Sequence, residues 1–267
     1  MMVRKASKLL GIAAAVSGVL VLSSREVARR YLFPTDEVAR HDAPSGFERH
    51  ALVAADGASV RALELPADAE QDTIVLFHNN RATIEEESGL ARALHERGFG
   101  VLLVEYRGYG HSRGTPSEEG LYLDAEAALH LLSERGVGAD RIILFGTSLG
   151  TGVAAEMARR GWGGRLVLVT PYTSIPDLVT DAVPFLPASL LVPDHFDTLS
   201  KARAIRVPTL VVHGDADEIV PHWMGARLAR TLPQGRLHTV PGGRHGDLFG
   251  RAGAQILEEV VRFARAR

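Results

Sequence analysis

The sequence predicts an α/β fold in which a mostly parallel central sheet carries helices on both faces and a small cap insertion. Short apolar runs recur along the chain, among them "TIVLFH", "VLLVEY", "RIILFG", "RLVLVT" and "PTLVVH". Segments with helical periodicity alternate with them, such as "EEESGLARALHERGFG" and "EEGLYLDAEAALHLLSERG". The runs are apolar at nearly every position rather than at every second one, which marks strands buried on both faces.

The elements follow in order. Residues 1–24 hold a basic start (Arg4, Lys5, Lys8) and the apolar run "LLGIAAAVSGVLVL", read as a membrane anchor or a signal segment, or as a helix packed on the domain. Residues 25–46, with Pro34, Pro44 and Gly46, read as a linker, and residues 47–267 as the folded domain. "HALVAADGASVRALELP" gives two strands around an Asp56-Gly57 turn. Gly98 closes the next helix. Thr115, Pro116 and Glu118 fit the N-cap, first helical residue and capping-box acid of the following one, whose first turn Gly120 weakens. After "RIILFG" comes a helix over 149–160, then "RLVLVT". Residues 171–207, with the proline-bearing "DAVPFLPASLLVPDHF", interrupt the alternation and read as a small lid. "PTLVVH", the helix "WMGARLARTL", the strand "GRLHTV" and a final helix "AGAQILEEVVRFARAR" complete the domain.

Composition narrows the function. The 267 residues carry a formal net charge of -2 and no basic stripe interleaved with aromatics, so no nucleic-acid partner is expected. The absence of cysteine excludes a thiol nucleophile, thiolate metal sites and disulfides. No cofactor or metal is expected: the histidines lack HxxxH or HxH spacing, and "RGYGHSRG" lacks the Gly-Lys-Ser/Thr of a nucleotide phosphate loop.

The chemistry centres on "IILFGTSLGTG", where an apolar run ends in Gly-x-Ser-x-Gly. A serine hydroxyl needs an imidazole to take its proton and a carboxylate to orient that imidazole. Ser148 at a strand-to-helix turn is the candidate nucleophile, with the Leu149 amide as an oxyanion donor. Asp217, four residues beyond His213 in "VVHGDADEIVP", is the candidate acid, and Asp215 reads as a turn former. His245, in "VPGGRHGDLF" after the last strand, is the candidate base. The order Ser148, Asp217, His245 is the order of the α/β-hydrolase fold. The second oxyanion donor is expected in the loop after "TIVLF": the Asn80 amide, with Arg81 as the alternative.

These residues lie within longer matches: "LFHNN", "VEYRGYGHSRGTPSEEGLYLDAEAAL", "GTSLG", "TPYTSIPDLV", "VPTLVVHGDADEIVP" and "GGRHGDLF". The chain resembles the α/β-hydrolase superfamily, and within it a membrane-associated branch that includes lysophospholipases and protein depalmitoylases. The resemblance implies the α/β-hydrolase fold, Ser148, Asp217 and His245 as triad, and an N-terminal membrane anchor. It departs from the family pattern at Asn79, where glycine is usual, and at Arg244 and Gly246 around the base. The expected activity is hydrolysis of carboxylic esters through an acyl-enzyme, with a small-molecule or lipid acyl substrate and the membrane as partners. Cleavage of acyl-protein or acyl-CoA thioesters and aminopeptidase-like amide cleavage are the alternative reactions. A membrane-associated scaffold is the non-enzymatic alternative.

Overall fold

The computed structural model describes residues 25–68, 70–251 and 253–266. One eight-stranded sheet contains β1 (Glu48–Val53), β2 (Ser59–Leu65), β3 (Thr73–Phe77), β4 (Gly100–Val104), β5 (Ile142–Thr147), β6 (Arg165–Val169), β7 (Thr209–Gly214) and β8 (Gly235–Val240). Their spatial order is β1-β2-β4-β3-β5-β6-β7-β8. The β1–β2 hairpin and the β2–β4 pair are antiparallel, and every other neighbour is parallel. After a helical stretch at residues 25–32, the helices of the domain are α1 (Ser88–His95), α2 (Glu118–Glu134), α3 (Leu149–Arg159), α4 (Ile175–Ala182), α5 (Ala188–Leu191), α6 (Thr198–Ala202), α7 (His222–Thr231), α8 (Leu248–Arg251) and α9 (Gly253–Arg265).

The unbroken apolar runs have a direct physical outcome. Successive strand side chains point to opposite faces. Ile74, Leu76, Val101, Leu103, Ile143 and Phe145 fall in one core, beneath Ala91 and Leu94 of α1 and Ile256 and Val260 of α9. The intervening Val75, Phe77, Leu102, Val104 and Leu144 fall in the other, beneath Leu121 and Leu129 of α2, Val153 and Met157 of α3, and Leu228 of α7. With both faces covered, the central strands are apolar at most positions, and the few polar ones, such as Thr73 in β3, are buried.

The start of α2 differs from its sequence reading. Ser117, not Thr115, is the cap, and its hydroxyl accepts from the Gly120 amide at 3.1 Å. Glu118 is the first helical residue and does not close a capping box. Its carboxylate instead accepts the amides of His195 at 2.7 Å and Phe196 at 2.9 Å, and the Tyr122 hydroxyl at 2.7 Å. Asp194 accepts the Glu118 amide at 2.8 Å and the Arg29 guanidinium at 2.9 Å. The returning end of the cap insertion is therefore clamped to the start of α2. Gly120 is not a weakness here, because a Cβ there would lie 2.8 Å from Cδ of Arg107. Helix α1 also begins later than its acidic "EEE" lead, at Ser88. Within the stretch read as a linker, Phe33 is buried and meets the Phe196 ring at a centroid distance of 6.3 Å.

The membrane expectations are corrected. Among the described residues no helix is long and apolar enough to cross a membrane. The described helices are short or charged: α2, with 17 residues, carries Glu118, Glu119, Asp124, Glu126 and Glu134 and rises only about 26 Å, short of a hydrocarbon core of about 30 Å. The anchor or signal segment at residues 1–24 lies outside the described residues.

Arg107 is buried and donates from its backbone amide (2.8 Å), Nε (3.0 Å) and Nη2 (2.7 Å) to Asp124, which is itself fully buried. Removing one partner strands the other charge in a low-dielectric interior. Asp124→Ala is expected to lower the unfolding free energy by about 3–5 kcal/mol, read by guanidinium denaturation. A loss under about 1 kcal/mol would show the pair to be dispensable.

Candidate active site

The turn between β5 and α3 is shaped by two glycines. A Cβ on Gly146 would lie 2.4 Å from the Gly150 carbonyl oxygen, and one on Gly150 would lie 2.1 Å from that of Phe77 and 2.9 Å from that of His78. Only glycine permits this approach of the turn to the end of β3. Ser148 between them has φ 50° and ψ -114°, a left-handed conformation that a non-glycine residue adopts at a cost of about 1–3 kcal/mol. Hydrogen bonds from the Ser148 amide to the Val169 carbonyl (2.9 Å) and from the Thr151 hydroxyl to the Ser148 carbonyl (2.6 Å) fix it. Thr170, just past β6, has φ 51° and is a second strained residue beside the turn.

Three of the expected residues meet. Nε2 of His245 lies 3.0 Å from Oγ of Ser148, and Nδ1 of His245 lies 2.9 Å from Oδ2 and 3.1 Å from Oδ1 of Asp217. The Asp217 side chain is fully buried and that of His245 nearly so. Oδ1 of Asp217 also accepts the amides of Ile219 at 2.9 Å and Val220 at 2.8 Å. Burial by itself raises a carboxyl, but the hydrogen bonds from His213, His245 and the Val220 amide outweigh it, and Asp217 lies well below the ordinary carboxylate range. An ionised Asp217 facing Nδ1 selects the tautomer whose Nε2 is free to accept the serine proton.

His213, a position marker in the sequence, also touches the candidate acid. Its Nε2 donates to the Val220 carbonyl at 2.9 Å and lies 3.3 Å from Oδ2 of Asp217. The signal was its spacing, one residue before the end of β7 and four before the acid. Asp215 is the turn former expected, and accepts the Gly242 amide at 2.6 Å. Glu218, which sequence reading left without a role, pairs with Arg244 at 3.1 Å, so the altered Arg244 position ties the base's loop to the acid's loop.

The two candidate oxyanion donors sit on neighbouring segments. The Leu149 amide is at the first position of α3, where no intrahelical acceptor exists. Asn80 lies on the loop leaving β3, against which Gly150 is pressed. The Asn80 side chain donates to the Leu32 carbonyl at 3.1 Å, and Asn79 Oδ1 accepts the Arg81 amide at 2.8 Å, so asparagines hold this loop. Beneath it His78 is fully buried between Tyr106 and Tyr109, with ring centroids at 4.2 and 5.2 Å.

The family described as serine aminopeptidase, S33, matches residues 68–196 and 196–251. A protein of Mycobacterium tuberculosis is 36% identical over 192 residues, covering 71% of this chain and 68% of that protein. YfhR of Escherichia coli K12 is 29% identical over 271 residues, covering 97% of this chain and 95% of that protein. In fold, the chain is similar to the Pyrococcus furiosus esterase Pf2001, at a TM-score of 0.72 and 16% identity over 85% of this chain and 96% of that one. It is also similar to the Exiguobacterium antarcticum esterase, at a TM-score of 0.61 and 18% identity over 81% and 99%. The resemblance to a membrane-associated branch is corrected: the match is to a serine aminopeptidase family, and the described helices supply no membrane span.

Burial lowers the His78 pKa from 6.5 to about 4. The native ring stays neutral until about pH 4, whereas the unfolded ring takes its proton near 6.5. Between those values the unfolded state binds the extra proton, so stability falls as pH drops through this window, by on the order of 3 kcal/mol. His78→Phe is expected to flatten that slope in unfolding curves recorded at pH 7, 6 and 5. An unchanged slope would rule out His78 as its source.

Proposed function

The chain belongs to the serine aminopeptidase S33 family within the α/β-hydrolase superfamily, and from that premise we propose that Ser148, His245 and Asp217 are its catalytic triad. The protein is a serine hydrolase. The observation that carries the assignment is the continuous chain from Ser148 Oγ to His245 Nε2 at 3.0 Å and from His245 Nδ1 to Asp217 at 2.9 Å. In the proposed reaction His245 takes the Ser148 proton as Oγ attacks the acyl carbon. The amides of Leu149 and Asn80 hold the resulting oxyanion, and His245 returns the proton to the leaving group. Water then repeats the sequence on the acyl-enzyme. Asp217 stays ionised throughout and stabilises the imidazolium.

Carboxylic esters are the proposed substrates. The cap supports this reading: Val183, Phe185, Leu186 and Leu190 are exposed apolar side chains on residues 171–207, suited to an acyl chain. Each buried methylene contributes roughly 0.8 kcal/mol. A second reading, cleavage of aminoacyl amides, is favoured by the description of the family itself.

A fluorophosphonate probe is expected to label the wild type at Ser148, mapped by mass spectrometry, and Ser148→Ala should not be labelled. The same substitution is expected to lower kcat by at least about 10³-fold with KM little changed. Folded protein that leaves Ser148 unlabelled would sink the triad assignment. A series of p-nitrophenyl esters beside aminoacyl p-nitroanilides decides the acyl bond. Higher kcat/KM on the anilides would overturn the ester reading and leave the triad in place.

A further inference from the structure

The glycine-rich loop "RGYGHSRG" carries chemistry that the triad does not use. It borders a cavity of about 390 Å³ lined by Arg40, Gly108, His111, Ser112, Arg113 and Gly114. No apolar side chain is among these residues, so the cavity suits a polar ligand, unlike the acyl group proposed for Ser148.

The charges around the loop divide into two sets. Arg107 is committed to Asp124 and Asp56, and Arg61 to Glu85 and Glu105. Both guanidiniums are thereby held by carboxylates and are not available to a ligand. Arg40 and Arg113 are exposed, and among the described residues neither has a hydrogen-bond or ion-pair partner. Two unpaired guanidiniums therefore border one cavity in a protein whose formal net charge is -2. His111 adds an imidazole, held in place as its Nε2 donates to the His41 carbonyl at 3.1 Å.

The backbone contributes too. Gly108, Gly110 and Gly114 have φ of 83°, 48° and 116°, backbone conformations that favour glycine and let the loop turn tightly. The amides of Arg113 and Gly114 engage no acceptor among the described residues. Ser112 is excluded as a donor, because its hydroxyl already donates to Glu105 at 2.7 Å and accepts from the Arg61 amide at 2.9 Å.

We propose that this cavity binds a phosphate monoester, with Arg40 and Arg113 as its charged clamps and the Arg113 and Gly114 amides as its backbone donors. Forked guanidinium donors match a tetrahedral oxyanion better than they match a neutral polyol. The volume falls in the range of small-molecule sites, which leaves room for an organic group beyond the phosphate itself.

Calorimetric titration of the full-length protein with glycerol 3-phosphate tests the site, with inorganic phosphate, acetate and glycerol as parallel arms. Saturable binding of glycerol 3-phosphate is expected, tighter than that of inorganic phosphate, with none for acetate or glycerol. The Arg40→Gln/Arg113→Gln double variant is expected to bind at least about tenfold more weakly while keeping the wild-type unfolding midpoint, since both side chains are exposed and unpartnered. Ser148→Ala is expected to bind as the wild type does, which separates this site from the acyl chemistry. Absence of saturable binding up to about 10 mM, acetate binding as tightly as glycerol 3-phosphate, or equal affinity in the double variant would overturn the proposal.

Discussion

The close approach of the β5–α3 turn to the end of β3 is the constraint from which the rest of the site follows. With hydrogen in place of Cβ at Gly146 and Gly150, the turn can fold against the Phe77 and His78 carbonyls. That contact forces Ser148 into a left-handed conformation and lifts its hydroxyl above the sheet. It also brings the loop leaving β3, with Asn80, beside the first amides of α3. A larger residue at either glycine would separate these segments even if Ser148, His245 and Asp217 all remained.

Several carboxylates in the interior are held by converging donors. Asp217 faces two imidazoles and two amides, and Asp124 faces Arg107. Glu156 faces Arg159, Arg160 and Lys201. An ionised group in a medium of low dielectric is tolerated only with such compensation. At Asp217 the compensation also has a chemical consequence, because it keeps the acid ionised beside the imidazole it orients. His213 belongs to this arrangement, linking the end of β7 to the acid's own loop. The Arg244–Glu218 pair joins that loop to the one bearing the base.

The cap is coupled to the domain through its returning end. Glu118 takes the amides of His195 and Phe196, and Asp194 takes Arg29 and the Glu118 amide. The outward part, around Phe185, is left with its apolar side chains in solvent; Phe185 is 98% exposed. One end is therefore fixed by charge-assisted hydrogen bonds, and the other presents an apolar surface. Fixing the return point determines where the chain re-enters the sheet as β7, and hence where Asp217 stands.

The sequence by itself determined the alternation of strands and helices, because doubly apolar runs fit only a sheet covered on both faces. It also nominated Ser148, Asp217 and His245, in that order, as a candidate triad, and the three side chains do meet in the structure. Local signals misled at α2, where the cap is Ser117: the acid at Glu118 was recruited by amides 77 and 78 residues away, a partner no local window contains. The N-terminal apolar run suggested a membrane anchor; it lies outside the described residues, and the described helices, being short or charged, supply no span. The tertiary structure alone decided that His213 reaches the acid, that Gly120 makes room for Arg107, and that Arg40 and Arg113 border one cavity. Each of these depends on side chains distant in the chain becoming neighbours, a relation fixed by the packing of strands and helices and carried by no single stretch of sequence.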